Sequence, residues 1–245
     1  GESDSEACGI RVTLQRNGSA QGLTLRHEDA SGGSTDASEG TSIQFQGYDG
    51  SNSYHNLAAI FGRADGESVS DSDSPGFLTF HTTPDGSDSF EERMRINSRG
   101  NVGIGVVPGE TNTNHDCLQI GGNASILSYG TQGASGEVDF NHNVLYNQAG
   151  NYVYISTDEA TRYRQSSGKH LWYVAASGTA GNTISFTEAM RIQNSGYVGI
   201  GTDSPEGPFH VHSPDGAAYD GYTMTVKNLE DTNNKGNTLY VYGGT

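Results

Sequence analysis

The chain has two cysteines in 245 residues, Cys8 and Cys117, far apart and in no pattern. That excludes a disulfide framework and a thiolate zinc site, and both read as buried small hydrophobes. Cations are scarce as well: 13 Lys and Arg stand against 29 Asp and Glu, for a formal charge of −16. A field of that sign repels nucleic acid phosphate and anionic membrane surfaces, so neither is an expected partner. No hydrophobic run is long enough for a transmembrane helix or a signal h-region. Apolar residues make up only 32% of the chain, a thin supply of core. GxSxG, HExxH, P-loop and dinucleotide fingerprints are all missing, so the sequence indicates no enzyme and no cofactor.

What is abundant is glycine, 35 residues, together with Ser, Thr, Asn and Asp. This mixture favours turns and short strands over helices. With 13 Tyr and 8 Phe in regular short runs, the chain is patterned for folding and not for disorder. Strand signals recur between turn clusters: RVTLQ, LTLRH, SIQFQGY, LAAIFG, FLTFHTT, ILSYG, EVDFNHNVLY, YVYIST, HLWYVAA, TMTVKN and TLYVYGG. The nearest approach to a helical stripe, ISFTEAMRIQ, also satisfies period two. The expected class is therefore all-β. So polar a chain is expected to bury part of its surface between copies of itself.

One sentence of the sequence is written twice. MRINSRGNVGIG begins at Met94 and MRIQNSGYVGIG at Met190, and Ser89–Gly105 shares 11 of 17 positions with Ser185–Gly201. Internal repeats define architecture. The repeats divide the chain into a first β module over 1–88, a connector over 89–121, a second module over 122–184, a second connector over 185–212, and the start of a third module over 213–245. Beginning at GESDSEACG without Met and stopping at YVYGGT inside a strand signal, the chain reads as a piece of something longer.

Within each connector two short strands flank a turn that places Gly100 or Gly196 where φ > 0 is wanted. Met94, Ile96, Val102 and Ile104, and likewise Met190, Ile192, Val198 and Ile200, fall on one face by period two. About four apolar side chains cannot stabilise an isolated hairpin. Packing around a threefold axis of a homotrimer is the reading that supplies partners, with the alternative a hairpin buried in its own chain's sandwich. Gly103, Gly105, Gly199 and Gly201 leave the other face bare, as where another backbone approaches closely.

The sequences ERMRINSRGNVGIGVVP and TEAMRIQNSGYVGIGTDSPEGPFHV resemble repeats of tail-fibre and related virion fibre proteins of tailed bacteriophages, especially marine ones. Their motif is close to ERMRIDSSGNVGIGTTSP followed by an LHV-like strand. TSIQFQGYDGSNSYHNLAAIFGRADG and PGFLTFHTTPDG are similar to the β module that precedes it, so the resemblance spans roughly residues 40–245. It implies an elongated homotrimeric β fibre of sandwich-like modules joined by intertwined, prism-like connectors. It also implies a virion location and partnership with other fibre or tail proteins.

Site candidates follow from side-chain chemistry. His210 and His212 lie two apart on a strand, so three chains would offer six imidazole nitrogens to a transition metal; ordinary strand positions are the alternative. Asp71, Asp73, Asp85 and Asp88 sit in acidic loops without calcium-loop spacing and read as solvated. Tyr163, Trp172, Tyr173, Tyr219 and Tyr222 offer rings to surface polysaccharide, although a half-buried strand turns one of Trp172 and Tyr173 inward. The resulting expectation is a structural and receptor-recognition segment of a phage fibre. Its rivals are a tailspike-type polysaccharide depolymerase and a cellular trimeric adhesin.

Overall fold

The computed structural model describes residues 40–51, 53–65, 73–130 and 135–212. The strand signals RVTLQ, LTLRH, TMTVKN and TLYVYGG lie outside the described residues, as do Cys8, Asp71, Tyr219, Tyr222 and the third module. Among the described residues there are strands and no helix. In chain order they are β1 Gly40–Tyr48, β2 Tyr54–Ala64, β3 Gly76–Thr82, β4 Glu91–Ile96, β5 Val102–Ile104, β6 His115–Ile120, β7 Ala124–Tyr129 and β8 Glu137–His142. They continue with β9 Val144–Tyr146, β10 Tyr152–Tyr154, β11 Asp158–Ser166, β12 Lys169–Gly178, β13 Thr187–Ile192, β14 Val198–Ile200 and β15 Phe209–Val211. The chain divides into two compact units, one running to Ser125 and including Leu145–Gly150, the other comprising Ile126–Val144 and the chain from Asn151.

In the first unit the strands pair in the order β1-β2-β3-β4-β5-β6. All neighbours are antiparallel except β5 and β6, which run parallel. In the second unit the order β8-β11-β12-β13-β14-β15 repeats the scheme, again with one parallel pair at the end, β14 with β15. The correspondence reaches the irregularities: a bulge at Phe80/His81 where β3 meets β4 has its counterpart at Trp172/Tyr173 where β12 meets β13. The 17-residue sequence repeat is thus the conserved end of a six-strand structural repeat. Its hairpins continue the sheet order, with β4 bonded to β3 on one side and β5 on the other, and β13 likewise to β12 and β14.

The turns follow from composition. Gly100 and Gly196 both have φ +84°, and their amides donate to Asn97 O at 2.9 Å and Gln193 O at 2.8 Å. A residue with a Cβ would be strained there. Beyond each hairpin the chain turns back to lay down the parallel strand. In the first unit this loop is locked by Asn101, which is wholly buried. Its Oδ1 accepts from the Thr111 hydroxyl and the Cys117 amide, each at 3.1 Å, and its Nδ2 donates to Gly109 O at 3.1 Å. A buried amide with these partners satisfied fixes the loop, whereas losing one would leave a costly orphan. Burial pushes the Cys117 thiol up to about 11, so it is an inert packing group.

The core of the second unit is small: Val144, Tyr154, Ala160, Ala175 and Ile184, with Tyr152 and Phe186 packed against it. Beside it Arg162 is buried among three rings, its guanidinium 4.2 Å from the Tyr173 centroid, 4.4 Å from Phe186 and 4.5 Å from Tyr152. Asn143, at φ 60°, accepts from the Ser156 amide at 2.7 Å and donates to Ser156 O and Glu159 O at 3.0 Å. Asn tolerates the left-handed region better than most residues and here satisfies the backbone in exchange.

Candidate functional site

Residues directly opposite on neighbouring strands share a face, so the register generates continuous rows. In the first unit one row reads Ile43, Ile60, Phe80, Met94, Ile104, Ile120 across six strands. Beside it on the same face run Thr41, Gly62, Leu78, Ile96, Val102 and Leu118. The second unit reproduces this with Phe140, Tyr163, Trp172, Met190, Ile200, Val211 and, alongside, Val138, Gln165, His170, Ile192, Val198, Phe209. These rows hold every Met, Ile and Val picked out by the repeat, and none is buried within one chain: Ile104 is 42% exposed, Phe140 45%, Val211 46% and Phe209 63%.

The opposite face is covered by the chain itself. It carries Thr79, Arg95, Gly103 and Gln119 in the first unit, and Asp139, Arg164, Leu171, Arg191, Gly199 and His210 in the second. Thr79, Gln119, Asp139 and Leu171 are buried. Arg95 forks onto Glu92 at 2.9 and 2.8 Å, and Arg191 forks onto Glu188 in the matching position of the second repeat. The Arg95 hydrogen bonds hold the Glu92 carboxyl below its ordinary range. Arg164 forks onto Asp139 with both bonds at 2.8 Å and reaches Glu137 at 2.7 Å. Burial raises the Glu137 carboxyl, and the nearby Arg164 offsets only part of that.

The glycines expected at a close approach divide into two kinds. A Cβ on Gly103 would lie 2.2 Å from Val106 O, one on Gly199 2.8 Å from Thr202 O, and one on Gly201 2.1 Å from His212 O. For Gly103 and Gly199 the obstructing carbonyl follows the hairpin directly, and for Gly201 it lies just past the parallel strand β15. Gly105 has open space around it, and what sets it apart is φ +68°. Gly103, Gly199 and Gly201 therefore admit the chain's own backbone at a close approach.

His210 and His212 do share a face, with ring centroids 6.1 Å apart. It is the Gly199 face, since His210 pairs with Gly199 while Phe209 and Val211 pair with Val198 and Ile200. Packing of the apolar rows about an axis would turn both imidazoles away from it. No group of three or more His, Cys, Asp or Glu is arranged for a metal among the described residues. Tyr163 and Trp172 stack in the apolar row with ring centroids 5.0 Å apart, flanked by Phe140 at 6.1 Å from Tyr163. Alternation along β12 puts Tyr173 on the other side, against Arg162 and Phe186.

No protein-family model and no curated protein sequence matches the chain. Among solved structures it is similar to the carboxy-terminal domain of the bacteriophage T5 L-shaped tail fibre, at 13% identity and a TM-score of 0.44, over 93% of this chain and all of that one. A second similarity is to that domain with its intramolecular chaperone domain, at 12% identity and a TM-score of 0.42, over 94% of this chain and 72% of that one.

Proposed function

We propose that the chain is a structural segment of a bacteriophage fibre. It assembles as a parallel homotrimer through the apolar rows of its two units, and it spaces or presents host-attachment surfaces at the outside of the virion. The observation that carries this reading is the uncovered face: two repeats of a six-strand scheme each place large apolar side chains in one line, half-exposed, while several residues of the opposite face are buried within the same chain. Exposed apolar surface that is contiguous and repeated calls for a partner. An identical chain offers the same rows at the same spacing. The motif resemblance to phage fibre repeats supports the same partner, and the low apolar content supports burial between chains.

In this arrangement Tyr163 and Trp172 serve the interface, and contact with host polysaccharide falls to the outward face, where Tyr173 lies. The role is binding and spacing without cleavage. Light scattering on the purified chain at micromolar concentration tests the assembly, with three times the 25.9 kDa chain mass expected. Incubation with host capsule, with no new reducing ends expected, tests the non-enzymatic role.

A further inference from the structure

A cavity of about 220 Å³ opens on the outward face of the second unit, lined by Arg164, Ser166, Ser167, Lys169, Leu171, Tyr173 and Arg191. Its construction follows from the register. Arg164, Leu171 and Arg191 are cross-strand neighbours on β11, β12 and β13, which sets two guanidiniums on either side of an apolar floor. Ser166 pairs with Lys169 at the end of the same hairpin. The two-residue turn between them has φ 52° at Ser167 and φ 71° at Gly168, the double positive φ of a tight hairpin.

Three of the chain's 13 Lys and Arg residues thus meet in one cavity, and no carboxylate lines it, in a protein of net charge −16. Asp139 and Glu188 hold Arg164 and Arg191 through their Nε and Nη2 atoms, and Glu137 adds a second carboxylate at Arg164 Nη2, which fixes both side chains and leaves each Nη1 for another acceptor. Lys169 has no ion pair among the described residues. Two fixed Nη1 donors beside a free ammonium suit an oxyanion. Ser hydroxyls, the Leu171 floor and the Tyr173 ring suit the hydroxyls and the apolar face of a sugar. The volume is below the roughly 300 Å³ at which drug-sized pockets begin, so a single small residue is the fitting unit.

We propose that this cavity is a subsite for the acidic unit of an anionic polysaccharide, a sugar residue bearing carboxylate or sulfate. The proposal rests on the fibre reading for the source of the ligand alone: all lining residues belong to one chain, on the face away from the apolar rows. The full chain is titrated by calorimetry at about 150 mM salt, where the Debye length is about 8 Å and long-range attraction is screened. The probes are a sulfated galactan oligosaccharide, a polyuronate oligosaccharide, a neutral glucan oligosaccharide and sodium sulfate. Saturable binding of at least one acidic oligosaccharide is expected, with the neutral one and free sulfate at least tenfold weaker. Lys169→Glu should weaken that binding at least tenfold and Lys169→Ala several-fold, while Arg99→Glu, the same charge change at an exposed position of the first unit, should leave it unchanged. Failure of both acidic oligosaccharides to bind, equal binding of the neutral oligosaccharide or of free sulfate, or equal effects of Lys169→Glu and Arg99→Glu would each overturn the proposal. Light scattering on the same samples separates the two readings: a trimer that binds no acidic sugar fails here only, and a monomer that binds one fails the assembly reading only.

Discussion

Replacing Ile104 by Asp puts a charge into the middle of the first unit's apolar row. Ile104 retains 42% of its surface in the single chain. Complete burial of such a side chain stabilises by about 1.5–3 kcal/mol, so covering the exposed remainder contributes about 1 kcal/mol per chain and about 3 kcal/mol per ring of three. Losing that alone would loosen the assembly. The aspartate adds the desolvation of an unpaired carboxylate, several kcal/mol per ion, three times over and with mutual repulsion, for a total above roughly 10 kcal/mol. That rivals the whole stability of an ordinary domain, about 5–15 kcal/mol. If the face were in contact with solvent, the same change would stay within about 0.5 kcal/mol. Size-exclusion chromatography with light scattering, followed by thermal melting, reads the difference. The variant should elute as monomer or aggregate and melt well below wild type, and Ile104→Thr, which keeps the β-branch, should fall between. Wild-type trimer yield and melting temperature in Ile104→Asp would refute the placement of this row at an interface.

Three further outcomes are expected. Gly103→Val should lower the melting temperature by the equivalent of about 1–3 kcal/mol through overpacking against Val106 O and Pro108, and Gly199→Val should do so against Thr202; melting like wild type would show that the return loops yield freely. Because Arg95 holds the Glu92 carboxyl below its ordinary 4.5, that group stabilises the fold above pH 4.5 and the contribution is lost as pH falls through its lower folded value. Glu92→Gln should therefore flatten the loss of stability below about pH 4.5, and an unchanged acid-unfolding profile would remove the pair from the account. Trp172 is the chain's one tryptophan and lies in the second unit's apolar row, so its emission should shift to the red and become accessible to acrylamide when trimer dissociates, and quenching that is the same in both states would place the ring outside the interface.

Period-two alternation and turn glycines made much of this fold legible in the sequence. Met94, Ile96, Val102 and Ile104 share a face because alternation dictates it, and Gly100 and Gly196 take positive φ because the turn between two such strands requires it. What alternation could not give was pairing at a distance. That CLQI and FHV lie parallel to β5 and β14 depends on a return loop whose lock, Asn101, is one Asn among many turn-formers and has Tyr197 in its place in the second repeat. The same limit explains the glycines: a bare strand face signals a close approach, but whether the approaching backbone is the chain's own or another's is not written in it. The cationic cavity was invisible for a further reason. Arg164, Lys169 and Arg191 come from three strands, and their convergence depends on a register set by a tight turn and one bulge. Tyr173 alone among its lining residues stood out, as an aromatic beside Trp172.

The central claim is that the apolar rows bind identical chains, and the mass of the wild-type particle tests it most directly. Light scattering on the full chain at micromolar concentration should return three times 25.9 kDa, unchanged on tenfold dilution. A mass of one chain, with the protein folded and soluble, would contradict it.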